Sequence, residues 1–342
     1  MFTSMGHLSQ IGFFLIYFLG GLMVLNRELS IGAFMAFTMY LGMFLPALRT
    51  LSHVGEWLSS SLAAAQRVFD VLDTEPEIKN KGEGIDLVPL KGEVIFENVT
   101  YGYESFKPVL KNINLHVKPG ELIGLVGESG VGKTTITNLI CRFYDVPDDQ
   151  GRILIDKVPL KDIRLRSLRQ QIGIVLQEPF LFQGTIAENI AYPKPDATMG
   201  EIINAAKLAN AHDFIMKFNE GYETYVGERG GRLSGGEKQR ISIARAILHD
   251  PRILILDEAT SSVDTATEKK IQEALARLTR GRTTFAIAHR LSTLRNADRL
   301  VVLEKGEIAE IGTHDELMEK KGVFWKLVNM QREASEIISV GG

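Results

Sequence analysis

One cysteine, Cys141, is all the thiol this chain has. That excludes an internal disulfide, and the plain role of a small buried apolar side chain on a helix outweighs a functional thiol. Charge is missing in two places: Met1 to Asn26 holds no Asp, Glu, Lys or Arg, and neither does Leu29 to Leu48. A basic excess is missing too. The 39 Lys and Arg stand against 42 Asp and Glu, a net charge of −3, which argues against nucleic acid as the main partner. Met1 to Gln10 contains no Lys or Arg, which argues against reading it as a secretory leader. The 342 residues allow two or three domains, and 45% hydrophobic with 24% charged residues is ordinary globular composition.

The two uncharged blocks, Leu8 to Leu25 and Ile31 to Leu48, are each close to the length of about 20 residues that a bilayer-spanning helix requires. Asn26 to Ser30, with Arg27 and Glu28, reads as a polar turn, so an all-α transmembrane hairpin is expected. Gly20, Gly21 and Gly32 would let the helices approach closely, and Phe13, Phe14 and Phe34 suit lipid or helix packing. Beyond Arg49, Leu51, Val54, Trp57, Leu58, Leu62, Ala65 and Phe69 recur at helical spacing, extending the second helix into water. Thr74-Glu75-Pro76 stops it. The expected organisation is a helical part over 1–75, a polar linker over 76–92, an α/β domain over 93–330 and a tail over 331–342.

From Glu93 the texture changes to short strands: Val94 to Tyr103, Ile113 to Val117 and Leu122 to Val126. The last runs into Gly127-Glu128-Ser129-Gly130-Val131-Gly132-Lys133-Thr134, which fits the phosphate-binding loop G-x-x-x-x-G-K-[ST]. A helix from Thr134 to Cys141 completes the strand–loop–helix context of a P-loop NTPase. Glycines let the backbone wrap the phosphates with N–H groups inward, and the helix N-terminus adds positive potential. Lys133 would reach the β- and γ-phosphates, and Thr134 would ligate Mg²⁺. Ile253 to Leu256 reads as a buried parallel strand ending in Asp257 and Glu258. Asp257 is suited to hold Mg²⁺, and Glu258 to orient and deprotonate an attacking water.

A second motif, Leu233-Ser234-Gly235-Gly236-Glu237, sits just before a helical stretch. With both motifs the chain resembles an ATP-binding cassette (ABC) exporter of the bacterial lipid and multidrug type, from about Ile11 to about Asn329. The resemblance implies a nucleotide-binding domain with an antiparallel β subdomain and a helical subdomain, bound to ATP and Mg²⁺. It implies that residues 233–237 close over ATP held by the glycine loop of a second subunit, with a helix from Lys238 aimed at the γ-phosphate. It assigns Thr135 to the nucleotide site and Tyr103 to stacking on adenine. Gln177 matches a residue that touches Mg²⁺, Asp264 one at the dimer seam, and His289 one that contacts the γ-phosphate. Thr224 to Gly230 resembles a segment typical of exporters rather than importers. Every catalytic motif is intact, which favours a homodimer with two competent sites.

Family members carry six membrane helices ahead of this domain, and this chain has room for two, matching the last two. A truncated or split product is therefore expected. The missing helices, or a partner chain bearing them, would dock beside Gln177 at Phe180, Leu181 and Phe182. The resemblance implies an integral protein of the cell membrane, in contact with lipid, its nucleotide domain cytoplasmic and Arg27 and Glu28 outside. ATP-driven export of a lipid, drug-like or peptide substrate follows. The alternatives are a non-transport ABC ATPase, mechanical or regulatory, and a product with ATPase activity only.

Overall fold

The computed structural model describes residues 2–75, 78, 84–87, 89–104, 106–258, 264–288 and 291–340. It divides into two compact units, Met1–Pro76 and Glu77–Gly342.

The first unit is two helices, α1 (Phe2–Leu25) and α2 (Ile31–Leu72). Arg27, at a left-handed φ of 62°, ends the first. Ser30 begins the second, its hydroxyl accepting from the N–H of Ala33 at 3.2 Å. Gly20 is where they meet. A Cβ there would lie 2.4 Å from a ring carbon of Phe34, and Tyr17 meets the same ring edge-on at 5.8 Å. Gly21 and Gly32 have nothing within 4 Å of a built Cβ, so of the three glycines only Gly20 is needed for packing. Among the described residues, no helix is long and apolar enough to cross a membrane. The first expected span begins within 2–10, whose side chains lie outside the description, and the second reaches Leu48 and Arg49, which do too.

The second unit is a layered α/β domain. Its smaller sheet is antiparallel, ordered β2 (Leu110–Val117), β1 (Val94–Tyr101), β4 (Arg152–Ile155), β5 (Val158–Pro159). The larger has six strands, ordered β10 (Glu307–Gly312), β9 (Arg299–Glu304), β3 (Leu122–Val126), β8 (Thr283–Ala288), β7 (Ile253–Glu258), β6 (Ile172–Val175). All but β10 pair parallel.

Period-two alternation sorts the central strands into two cores. Ile123, Leu125, Ile253, Ile255, Phe285 and Ile287 join the small sheet, α3 (Lys133–Ile140) and α4 (Leu165–Gln170) in one cluster. Val126, Leu254, Leu256 and Ala286 join the other. It also holds α5 (Ile186–Ala191), α6 (Met199–Leu208), α7 (His212–Ile215), α8 (Gly235–His249) and α9 (Thr265–Thr279). Both faces of the parallel strands are covered, which is why they read as unbroken apolar runs. Cys141 lies in the first cluster, its thiol pushed up to about 12 by burial.

Within the segment read as a linker, described residues at 85 and 91–92 are bonded into the second unit. Ile85 donates to Asp162 O at 2.7 Å and accepts from the N–H of Arg164 at 3.0 Å. The Asp156 carboxylate collects the N–H groups of Lys91, Gly92 and Glu93 at 2.6, 3.0 and 2.8 Å. Polar composition does not prevent ordering when backbone donors find a partly buried acceptor.

Candidate nucleotide site

Residues 127–132 leave the C-terminal end of β3, the place where open parallel sheets bind ligands. Gly127, Gly130 and Gly132 have φ of 151°, 80° and 111°. Two also lie where a side chain would collide. A Cβ on Gly127 would sit 2.6 Å from Leu303 O, and one on Gly132 2.5 Å from a methyl of Leu110. The chain thus forms a glycine cradle that runs into α3, whose first residue is Lys133. The helix begins one residue earlier than its sequence signal. The Lys133 ammonium donates to Gly127 O and Glu128 O, both at 2.7 Å, and so lies across the mouth of the cradle. Burial lowers its pKa, and the charge of Asp257 opposes that shift. Thr134 is exposed in the first helical turn, while Thr135 is buried beneath it.

Asp257 reaches this point through the sheet. Leu125 of β3 pairs with Ile287 of β8, and Ile287 pairs with Asp257 of β7. The acidic strand end therefore stands beside the exit of β3. Glu258 is the next residue of β7 and pairs with Ala288; its side chain lies outside the described residues, as does all of His289. Among the described residues no group of three or more His, Cys, Asp or Glu could hold a metal unaided. Mg²⁺ commonly needs only one or two protein carboxylates, with substrate phosphates and water completing the shell. Thr134 and Asp257, flanking a cradle with a cationic mouth, fit that pattern.

Tyr103 follows β1, and its hydroxyl bonds Thr135 Oγ1 and Asn138 Nδ2, each at 3.3 Å. Tyr101 and Tyr144 meet its ring edge-on at 5.5 and 5.0 Å. These two rings fix the plane of Tyr103. They carry no motif of their own, so the sequence gives no sign of them.

The signature residues differ in detail from expectation. α8 starts at Gly235, so the two glycines form its first turn and precede Lys238. Ser234 and Glu237 make a capping box: Ser234 N donates to Glu237 Oε2 at 2.8 Å, and Glu237 N to Ser234 Oγ at 3.4 Å. Leu233 is buried in the core. Asp264 N-caps α9, accepting from Thr267 N at 3.0 Å, and hydrogen bonds from Thr267 hold its carboxyl below the usual aspartate range. Arg240 lies between these two helix starts. Burial lowers its pKa, and Glu237 and Asp264 oppose the shift.

Gln177 is exposed just after β6. Of the three residues read as a docking patch, Phe180 and Phe182 are exposed but Leu181 is fully buried. The middle side chain of this alternating segment turns inward to anchor it. Thr224 to Gly230 runs beside this segment, Val226 N donating to Gly184 O at 2.9 Å.

Cradle and signature lie on opposite faces of the six-stranded sheet: α3 packs in the core shared with the small sheet, α8 in the helical core. A glycine cradle, an acidic strand end and a capped signature helix, so arranged, define a nucleotide-binding domain of the ATP-binding cassette class. Residues 110–261 match the ABC transporter family. The chain is 48% identical over 333 residues to an ATP-dependent lipid A-core flippase of Syntrophus aciditrophicus, covering 97% of this chain and 55% of that one. It is 46% identical over 320 residues to a fatty acid ABC transporter ATP-binding/permease protein of Mycobacterium tuberculosis, covering 94% and 50%. A solved structure of a bacterial Atm1-family ABC exporter with ATP bound superposes with a TM-score of 0.75 at 37% identity, covering 96% of this chain and 58% of that one. Residues 110–261 thus form an ABC transporter domain, and the relatives that match nearly the whole chain carry flippase, exporter or permease names. The chain spans about half the length of the curated relatives it matches.

Proposed function

We propose that this chain binds and hydrolyses ATP as one of two facing subunits, and that closure of the pair drives export across a membrane. One observation carries the reading: the phosphate cradle and the signature helix are both formed, yet they occupy opposite faces of one sheet. A single copy cannot bring the two together without breaking its sheet; a second copy facing it can.

In this reading the cradle N–H groups and Lys133 hold the phosphates, and Tyr103 stacks on the base. Thr134, Asp257 and Gln177 hold Mg²⁺, which neutralises charge developing on the phosphoryl oxygens. Glu258 takes the proton of the attacking water, and His289 contacts the γ-phosphate. Gly235, Gly236 and the start of α8 offer backbone donors to the facing subunit's nucleotide, and Asp264 lies at the seam. The pair is a homodimer anchored in the cell membrane by α1 and α2, with further helices in or beside it. The cargo is a lipid, drug-like or peptide molecule; a lipid A flippase and a fatty acid transporter among the relatives support the lipid class.

The test is Glu258→Gln in the full chain. ATP binding should persist while hydrolysis slows by about 10²–10⁴-fold, the usual worth of a general base. That variant should also become dimeric on adding Mg·ATP, by sedimentation, whereas Lys133→Ala should lose nucleotide binding itself. A Glu258→Gln chain that stays monomeric with ATP bound overturns the two-subunit site.

A further inference from the structure

α8 does more than carry the signature. About three turns along it from Ser234, the Arg245 guanidinium spreads over the segment that follows β6. Its Nη1 donates to Phe180 O at 3.0 Å, its Nε to Asn189 O at 2.9 Å, and its Nη2 to Asn189 Oδ1 at 2.9 Å. The same group lies 5.5 Å from the ring centres of both Phe182 and Tyr192, which stack on each other at 4.1 Å. Asn189, 1% exposed, closes the knot. Its amide donates to Phe182 O and Thr185 O, each at 2.9 Å, and its oxygen accepts from Phe182 N at 2.8 Å. Earlier on the same helix, Gln239 Nε2 donates to Leu176 O at 3.4 Å.

These bonds bracket Gln177. α8 grips the chain one residue before it, at Leu176, and three residues after it, at Phe180. Between those points Gln177 and Glu178 are exposed, so the stretch has little core of its own to fix it. The grip at Phe180 depends on a planar fork meeting two carbonyls and an amide oxygen at once, which a lysine cannot reproduce. Burial works against the Arg245 charge, so the site spends free energy to keep a cation there.

Building on the two-subunit reading, we propose that Arg245 is a positioning residue for ATP turnover: it joins the 176–182 segment bearing Gln177 to the helix that begins with Ser234 to Glu237. The two then approach and leave the nucleotide as one body. If the joint loosens, the signature and Gln177 reach the γ-phosphate independently, and closure on ATP becomes harder. ADP lacks that phosphate, so its affinity rests on the cradle and on Tyr103, which the joint does not touch.

The experiment compares wild type, Arg245→Lys and Tyr192→Leu, each as the full detergent-solubilised chain. It measures ADP affinity with a fluorescent ADP analogue, and KM for ATP with kcat from phosphate release. For Arg245→Lys, ADP affinity should stay within about twofold while KM for ATP rises about tenfold, the worth of one charged hydrogen bond. A lowered kcat with KM unmoved means a loss of folded fraction only and overturns the proposal. Tyr192→Leu alters an exposed ring and carries the test if Arg245→Lys does not fold. It should raise KM about threefold through the lost cation–π contact, and an unmoved KM there overturns the proposal equally. Absence of ATP turnover in wild type would overturn the two-subunit reading with it, whereas wild-type turnover with unmoved KM in the variants removes Arg245 alone.

Discussion

Glu121 stands at the entrance to β3, and its carboxylate bonds the Arg299 guanidinium at the start of β9, Nη2 to Oε2 at 2.9 Å. It also accepts from the N–H of Lys118 at 2.8 Å. Burial pushes the pKa up, but Arg299 and Lys118 outweigh it, so the net value lies below the ordinary 4.5. A carboxyl whose folded pKa is depressed contributes stability above its unfolded value, and loses it as pH falls through the folded one. Glu121→Gln should therefore melt lower than wild type at neutral pH, and the gap should close towards about pH 3. Thermal melts across that range check this, and a gap constant with pH would show that charge is not the source. Lys133, Thr134, Asp257 and Glu258 are legible at this same scale in the bare sequence, because loop chemistry ties residue type to spacing. Arg245, Asn189 and Tyr144 are not. An arginine on an amphipathic helix reads as solvated, and only the segment packed against it gives it acceptors.

At the scale of elements, α8 is the informative helix. Its capping box makes Ser234 and Glu237 partners of each other, so the signature is first a helix start, and under the proposed function also a surface offered to nucleotide. Removing the Glu237 carboxylate frees the N–H of Ser234. Glu237→Ala should cost about 0.5–2 kcal/mol, the range for losing a cap, seen as a fall of a few degrees in Tm. If closure uses this helix start, KM for ATP should rise together with that fall. A lower Tm with KM unchanged would separate the cap from the site. Strand elements were easy to read where both faces are buried, as in Leu122–Val126 and Ile253–Glu258. The sequence signal for the start of α8 falls three residues late, at Lys238, because adjacent glycines disfavour helix by propensity and the cap outweighs them. Lys91 and Gly92 read as linker because their backbone N–H groups are held by Asp156, more than sixty residues away.

Over the whole molecule, the uncharged helix α1 and the charged α/β domain present different surfaces to their surroundings. α1 has 24 residues and no Asp, Glu, Lys or Arg, and many of its large side chains, Phe14 and Phe18 among them, are exposed. Such a surface is stable in lipid and aggregation-prone in water. The chain should sediment with bilayers, stay there through high salt and alkaline wash, and be released by detergent. Release by salt alone would mean that electrostatics, not apolar burial, holds it.

The sequence by itself determined the chemistry: a glycine loop on a strand–helix junction, an acidic strand end and a signature pentapeptide, each readable because a local backbone shape demands those residue types. It also marked out the apolar helices, since missing charge needs no partner to interpret. Only the tertiary structure decided that cradle and signature face opposite ways on one sheet, that Asp257 comes beside Lys133 by crossing a strand, and that Gln239 and Arg245 bind the two flanks of the distant stretch bearing Gln177. Those facts depend on strand order and on contacts between residues far apart in the chain, where no local rule of spacing acts.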